Sequence, residues 1–225
     1  NTLYALRVRA LNGNNLATDW VVLPSTYTLA APPILTATPL SSVLLTSFTV
    51  SWNANGNPGN TSYYVEISTI SDAGASTATA GWNIFTSTAF TGLTIGSTYY
   101  TRVKARNENF VETLFTLLGS TVTKPEIPTA GIPAITAAGT TTISAAWTDS
   151  LNPGGVSYEV QASSNGFTNF FSSATSLLNA TVTSLSTNTA YGVRVRAVAG
   201  SSYSDWATLS ASTYTLAAFP VSAAL

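Results

Sequence analysis

Apolar and polar residues alternate with a period of two in three widely separated stretches. They are Tyr4-Ala-Leu-Arg-Val-Arg-Ala, Tyr99-Tyr-Thr-Arg-Val-Lys-Ala and Tyr191-Gly-Val-Arg-Val-Arg-Ala. The tyrosines stand 95 and 92 residues apart. In each stretch one face reads Tyr/Leu/Val/Ala or its equivalent and the other carries Arg or Lys. That alternation predicts a half-buried β-strand with its cations outward.

A second element recurs 23 residues beyond each tyrosine. Ser25-Thr-Tyr-Thr-Leu-Ala-Ala returns as Ser212-Thr-Tyr-Thr-Leu-Ala-Ala, and Ser120-Thr-Val-Thr fills the same place between them. Proline-containing joints follow at Pro32-Pro33, from Pro125 to Pro128, and at Phe219-Pro220. Proline fixes φ and stiffens a linker, which suits an extended chain of domains.

A third correspondence covers the rest of the unit. Phe48-Thr-Val-Ser-Trp52 and Ile143-Ser-Ala-Ala-Trp147 are alternating strands that end on tryptophan. Eleven residues later come Tyr63-Tyr-Val-Glu-Ile and Tyr158-Glu-Val-Gln-Ala, with Asn57-Pro58-Gly59 and Asn152-Pro153-Gly154 predicted as turns between. Registered repetition at this period is the signature of tandem units. The expected organisation is a C-terminal fragment of one unit over residues 1–31, whole units over 32–126 and 127–218, and the first strand of another over 219–225. Two strands alone cannot bury a core, so residues 1–31 are expected to need partner strands from upstream sequence or another chain.

Composition agrees with an all-β protein and narrows its chemistry. Only 8% of the 225 residues are charged, against roughly 25% in an average soluble domain. Thr and Ser replace them, at 37 and 28 residues. Threonine is β-branched and suits the wetted face of a sheet. A net charge of −1 leaves no basic footprint for nucleic acid, and no apolar run is long enough for a spanning helix. Without His, Cys or Met the chain lacks disulfides, the usual zinc ligands, thiol nucleophiles and the commonest general base. The acidic residues are scattered, as calcium loops are not. No catalytic residue, metal ligand or cofactor site is therefore expected.

The repeat length, the early tryptophan, the late tyrosine and some seven short strands resemble the fibronectin type III domain, an immunoglobulin-like β-sandwich. Leu93 and Leu185, each six residues before Tyr99 and Tyr191, look like that family's tyrosine corner, in which the tyrosine hydroxyl bonds to backbone a few residues upstream. Trp52 and Trp147 match its core tryptophan. The resemblance implies sheets of three and four strands. In bacteria it points to secreted or surface proteins in which such repeats serve as spacers, stalks or adhesive modules, and the Ser-Thr-Tyr-Thr-Leu-Ala-Ala joint looks bacterial.

Several groups of side chains invite a functional reading. Arg7/Arg9, Arg102/Lys104/Arg106 and Arg194/Arg196 should line the outer face of the sixth strand, with Trp20 and Trp206 on the strand paired to it. Tyr203-Ser-Asp-Trp206 resembles the Trp-Ser-x-Trp-Ser box of cytokine-receptor fibronectin domains, which implies a cation–π ladder of aromatics between arginines. The middle unit lacks that tryptophan, so its ladder is expected to be absent or different. Glu66 and Glu159 should neighbour the arginines across strands, as structural pairs rather than a glycosidase acid pair. Trp82, within the Ala/Gly/Ser/Thr-rich stretch from Ile70 to Phe90, is expected to seal one edge of the core; a sugar platform or a subunit contact is the sharper alternative. Asn60-Thr-Ser62 and Asn179-Ala-Thr181 match the glycosylation acceptor pattern.

These features predict a non-catalytic structural and interaction segment of a long extracellular repeat protein, a surface fibre, filament or stalk. Its expected partners are neighbouring copies of itself or other repeats of the same chain, with surface glycans a further option, and neither nucleic acid nor a membrane span. The alternatives are spacer or carbohydrate-binding repeats of a secreted polysaccharide-degrading enzyme, or an adhesin for host or other cells.

Overall fold

The computed structural model describes residues 1–71 and 75–220. All regular structure among them is β. A hairpin comes first, β1 (Leu3–Val8) against β2 (Val21–Tyr27). The first sandwich follows, with β3 (Ile34–Ser41), β4 (Phe48–Asn53) and β7 (Ser87–Phe90) in one sheet. Its second sheet has the order β6 (Ala78–Asn83), β5 (Ser62–Ser68), β8 (Thr98–Arg106), β9 (Thr116–Val122).

The second sandwich repeats this plan. One sheet holds β10 (Thr129–Ala138), β11 (Ile143–Thr148) and β14 (Asn179–Val182). The other holds β13 (Phe171–Thr175), β12 (Ser157–Ser163) and β15 (Ala190–Ala199), with β16 (Ser202–Tyr203) and β17 (Ala207–Tyr214) both paired to β15. The three- and four-stranded layers expected from the resemblance are thus present, with β16 as a two-residue addition. The expected strand at 219–225 lies, beyond residue 220, outside the described residues.

By contact density the chain divides into two compact units. One comprises Asn1–Val43, Ser47–Thr91 and Thr98–Thr121; the other comprises Leu44–Thr46, Gly92–Ser97 and the chain from Val122 on. The hairpin belongs to the first unit.

Period-two alternation is realised residue by residue. In β8, Tyr99, Thr101, Val103 and Ala105 are buried while the positions between them are half-exposed; β15 does the same with Tyr191, Val193, Val195, Ala197 and Ala199. Each core is built around a tryptophan from one sheet against a tyrosine from the other, Trp52–Tyr63 at 5.7 Å and Trp147–Tyr158 at 5.6 Å between ring centroids. Tilted ring pairs at such distances add about 0.5–1.5 kcal/mol beyond their buried area. In the second sandwich the tyrosine corner is closed: the Ser186 backbone N–H donates to the Tyr191 hydroxyl at 2.9 Å.

The hairpin differs in one respect. Tyr4, Leu6 and Val8, the counterparts of those buried strand residues, are 54, 43 and 49% exposed. A two-stranded sheet has no opposing layer to cover its apolar face.

Candidate interaction faces: the aromatic ladders and the occupied head loops

Seven of the chain's eight cationic residues stand on the outer faces of the three late strands or directly after them; Lys124 is the eighth. Each group is interleaved with aromatic rings. At the hairpin, the guanidinium groups of Arg7 and Arg9 lie 4.2 and 4.6 Å from the Trp20 ring. On β15, Trp206 lies between Arg194 and Arg196 at 4.1 and 4.6 Å, with Phe167 capping Arg194 at 3.8 Å and Tyr203 capping Arg196 at 4.1 Å. The ladder implied by the Tyr203-Ser-Asp-Trp206 resemblance is therefore formed. Trp20 and Trp206 sit one residue ahead of β2 and β17 rather than within them.

The middle ladder exists in a different form. Phe115 stacks on Arg102 at 4.1 Å and on Lys104 at 4.8 Å. Trp82 stacks on Arg106 at 4.2 Å, and Phe110 on the same guanidinium at 4.9 Å. Trp82 also packs on Tyr64 at 5.4 Å. The expectation that Trp82 seals the core edge is corrected here: β6 pairs with β5 such that Tyr64 and Trp82 are partners, and both side chains fall on the cationic face. Phe115 escaped the sequence reading although its signal was present. It follows Tyr99 by 16 residues, the same interval as from Tyr4 to Trp20.

Carboxylates complete two of the ladders. Register places Glu66 opposite Arg102 and Glu159 opposite Arg196, and both pairs are ion-paired: Glu66 with Arg102, and Glu159 with Arg196 at 2.7 Å. Lys104 pairs with Glu112. On β12, the Gln161 side chain donates to Glu159 at 2.7 Å while its oxygen accepts from Arg194 at 2.8 Å. Burial, then the neighbouring Arg196, lowers the Arg194 pKa, with Glu159 opposing the shift. These contacts use cations on internal packing. Among the described residues no group of three or more His, Cys, Asp or Glu side chains gathers to hold a metal ion.

The loops at the head of the first sandwich are occupied by the hairpin that precedes them. Asn107 donates to the Thr28 carbonyl at 3.2 Å, Asn109 to the Thr26 hydroxyl at 3.2 Å, and Asn1 to the Thr61 hydroxyl at 3.1 Å. The Glu108 backbone N–H donates to the Asn1 side-chain oxygen at 3.1 Å. Asn107 and Thr61 are almost wholly buried by this seam. Asn60, in one acceptor pattern, donates to Glu108 at 3.2 Å, and Asn179, in the other, lies on β14 opposite Ala146.

Comparison with known proteins agrees with this architecture. Residues 31–114 match the model of the fibronectin type III domain, a domain type that is typically a non-catalytic structural or interaction module and is common in extracellular proteins. Among solved structures, a two-domain fibronectin type III segment from chicken tenascin matches with a TM-score of 0.52 at 17% identity, covering 82% of this chain and all of that one. The FN1–FN3 domains of chicken CNTN1 match with a TM-score of 0.40 at 15% identity, covering 93% of this chain and 77% of that one. No curated protein sequence matches the chain. With layers, register and core tryptophan alike in both sandwiches, the fold is that of tandem fibronectin type III β-sandwiches.

Proposed function

We propose that this chain is a non-catalytic structural and interaction segment of an extracellular repeat protein, a bacterial surface fibre, filament or stalk. In this reading the repeats run over 32–126 and 127–218, and the hairpin of residues 1–31 is the closing pair of strands of a third. The observation that carries it is the seam at the head of the first sandwich. Asn107, Asn109 and Thr61 face the hairpin, so the loops from which such a sandwich could present a binding epitope are used to couple it to its neighbour. This favours length over ligand recognition, and weighs against an adhesin that displays those loops. The capture of Trp82 in the ladder likewise leaves it poorly placed as a sugar platform.

Low charge favours self-association, since little repulsion separates neighbouring copies. Small-angle scattering and negative-stain microscopy of the protein over a wide concentration range test this. Elongated assemblies that grow with concentration are expected. Single, well-separated particles at high concentration would overturn the filament reading.

A further inference from the structure

The two Asn-Pro-Gly turns do more than reverse the chain. The Asn57 side-chain oxygen accepts the Ala31 backbone N–H at 2.8 Å, while its amide donates to the carbonyls of Ala31 and Ala54, both at 2.8 Å. Ninety-five residues on, the Asn152 oxygen accepts the Glu126 N–H at 2.7 Å and its amide donates to the carbonyls of Glu126 at 2.9 Å and Asp149 at 2.7 Å. Ala31 immediately precedes Pro32, and Glu126 lies between Pro125 and Pro128, so both belong to the proline-containing segments that lead into each sandwich. We propose that Asn57 and Asn152 are joint-setting residues, each a small receptor for extended backbone that fixes the path of the segment entering its own sandwich.

The chemistry of the carboxamide explains the choice of residue. It offers one acceptor and two N–H donors, and all of these are used. Gripping both the N–H and the C=O of one residue imitates the paired bonds exchanged across an antiparallel ladder. Aspartate would keep the acceptor, lose both donors and set a charge against two carbonyls. Glutamine would displace the group by a methylene. Because only backbone is gripped, the linker residue is free to vary, as Ala31 and Glu126 do; proline there would remove the donor. The proline after each Asn has no backbone N–H to attack the carboxamide, so the turn shields its own receptor from deamidation.

Two supports surround the grip. Trp52 and Trp147 pack on Tyr63 and Tyr158, whose hydroxyls lie beside Asn57 and Asn152. Position 55 adds a second contact, with the Asn55 amide donating to the Pro32 carbonyl at 2.8 Å; the equivalent Ser150 hydroxyl bonds that of Thr129 at 2.8 Å. The inference rests on these local bonds and not on the filament reading.

The test uses the whole chain. In Asn152→Ala, cleavage by a glutamate-specific protease at Glu126–Ile127 is expected to rise about tenfold or more, since both hydrogen bonds that hold the Glu126 backbone are lost. Cleavage after Glu66 and Glu159, which sit within strands, should stay at the parent rate. In Asn57→Ala, amide exchange at Ala31 should rise by a similar factor while cleavage at Glu126 is unchanged. Ala31→Glu should leave exchange at residue 31 as in the parent. Parent-like cleavage at Glu126 in Asn152→Ala, or parent-like exchange at Ala31 in Asn57→Ala, would overturn the proposal. If Asn152→Ala fails to fold, so that all glutamate sites are cut together, the Asn57→Ala exchange result decides.

Discussion

The ladder on β15 gives the sharpest energetic test. Trp206→Leu keeps an apolar side chain at the position but removes the ring, and with it two guanidinium contacts at 4.1 and 4.6 Å. Each such contact contributes about 0.5–1 kcal/mol when exposed and up to about 2 when desolvated. Arg194 and Arg196 are half-buried, so the expected loss is about 1–2 kcal/mol from the ladder, with a smaller part from lost area. The ion pair of Arg196 with Glu159 stays in place, and its share is smaller because both partners are partly exposed. Urea unfolding of the parent, Trp206→Leu, Arg194→Met and the double variant forms a cycle that isolates the ring–cation term. The same cycle with Arg196→Met should give a similar or smaller value, since its ring distance is longer. Couplings under about 0.3 kcal/mol in both cycles would refute the ladder as a source of stability and leave it as packing alone.

Two further outcomes follow from the core. Burial raises the Tyr63 and Tyr158 pKa values above the ordinary 10.0, with Asp149 adding to the shift at Tyr158 and the adjacent asparagines opposing it. A group held protonated in the folded state contributes fully below the unfolded pKa. Its contribution is lost as pH rises above about 10 through the folded value. The tyrosine contribution to the urea midpoint should therefore fall as pH rises above about 10, and Tyr158→Phe should fall less steeply than the parent across that window. At the tyrosine corner, Tyr191→Phe leaves the Ser186 N–H without its acceptor, for an expected cost of about 1–3 kcal/mol by urea unfolding.

Much of the architecture was legible because period two is a local property. Each strand from Phe48 to Trp52 and from Tyr191 to Ala197 declares its buried face without reference to any other, and the repeat then checks the reading against itself. Pairings across strands were legible where charge marked them, as for Glu66 with Arg102. Trp82 was not legible in this way. Whether an aromatic on a short edge strand turns to the core or to the outer face depends on register, and here a shift between Val65 and Glu66 intervenes. The Asn57 and Asn152 grips were hidden for a different reason: Asn-Pro-Gly is a sufficient turn signal, so nothing in the sequence asks for a second use of the side chain.

The scarcity of charge and its placement belong together. With eight cations in 225 residues, and seven of them committed to rings or carboxylates, a domain of this kind presents mainly hydroxyl, amide and aliphatic groups to solvent. Interspersed surface charge normally keeps proteins apart, and a chain that spends it on internal ladders gives up that protection. The compensation lies in where the cations sit. A row of Arg and Lys on the outer face of a strand, capped by aromatics, makes that sheet face a poor template for flat stacking. In the self-association proposed above, contact falls to the uncharged faces and edges. Thr181→Lys on β14 leaves the ladders and cores untouched while the uncharged sheet gains repulsion, so growth of assemblies with concentration in small-angle scattering should be weaker than in the parent, and undiminished growth would refute this assignment.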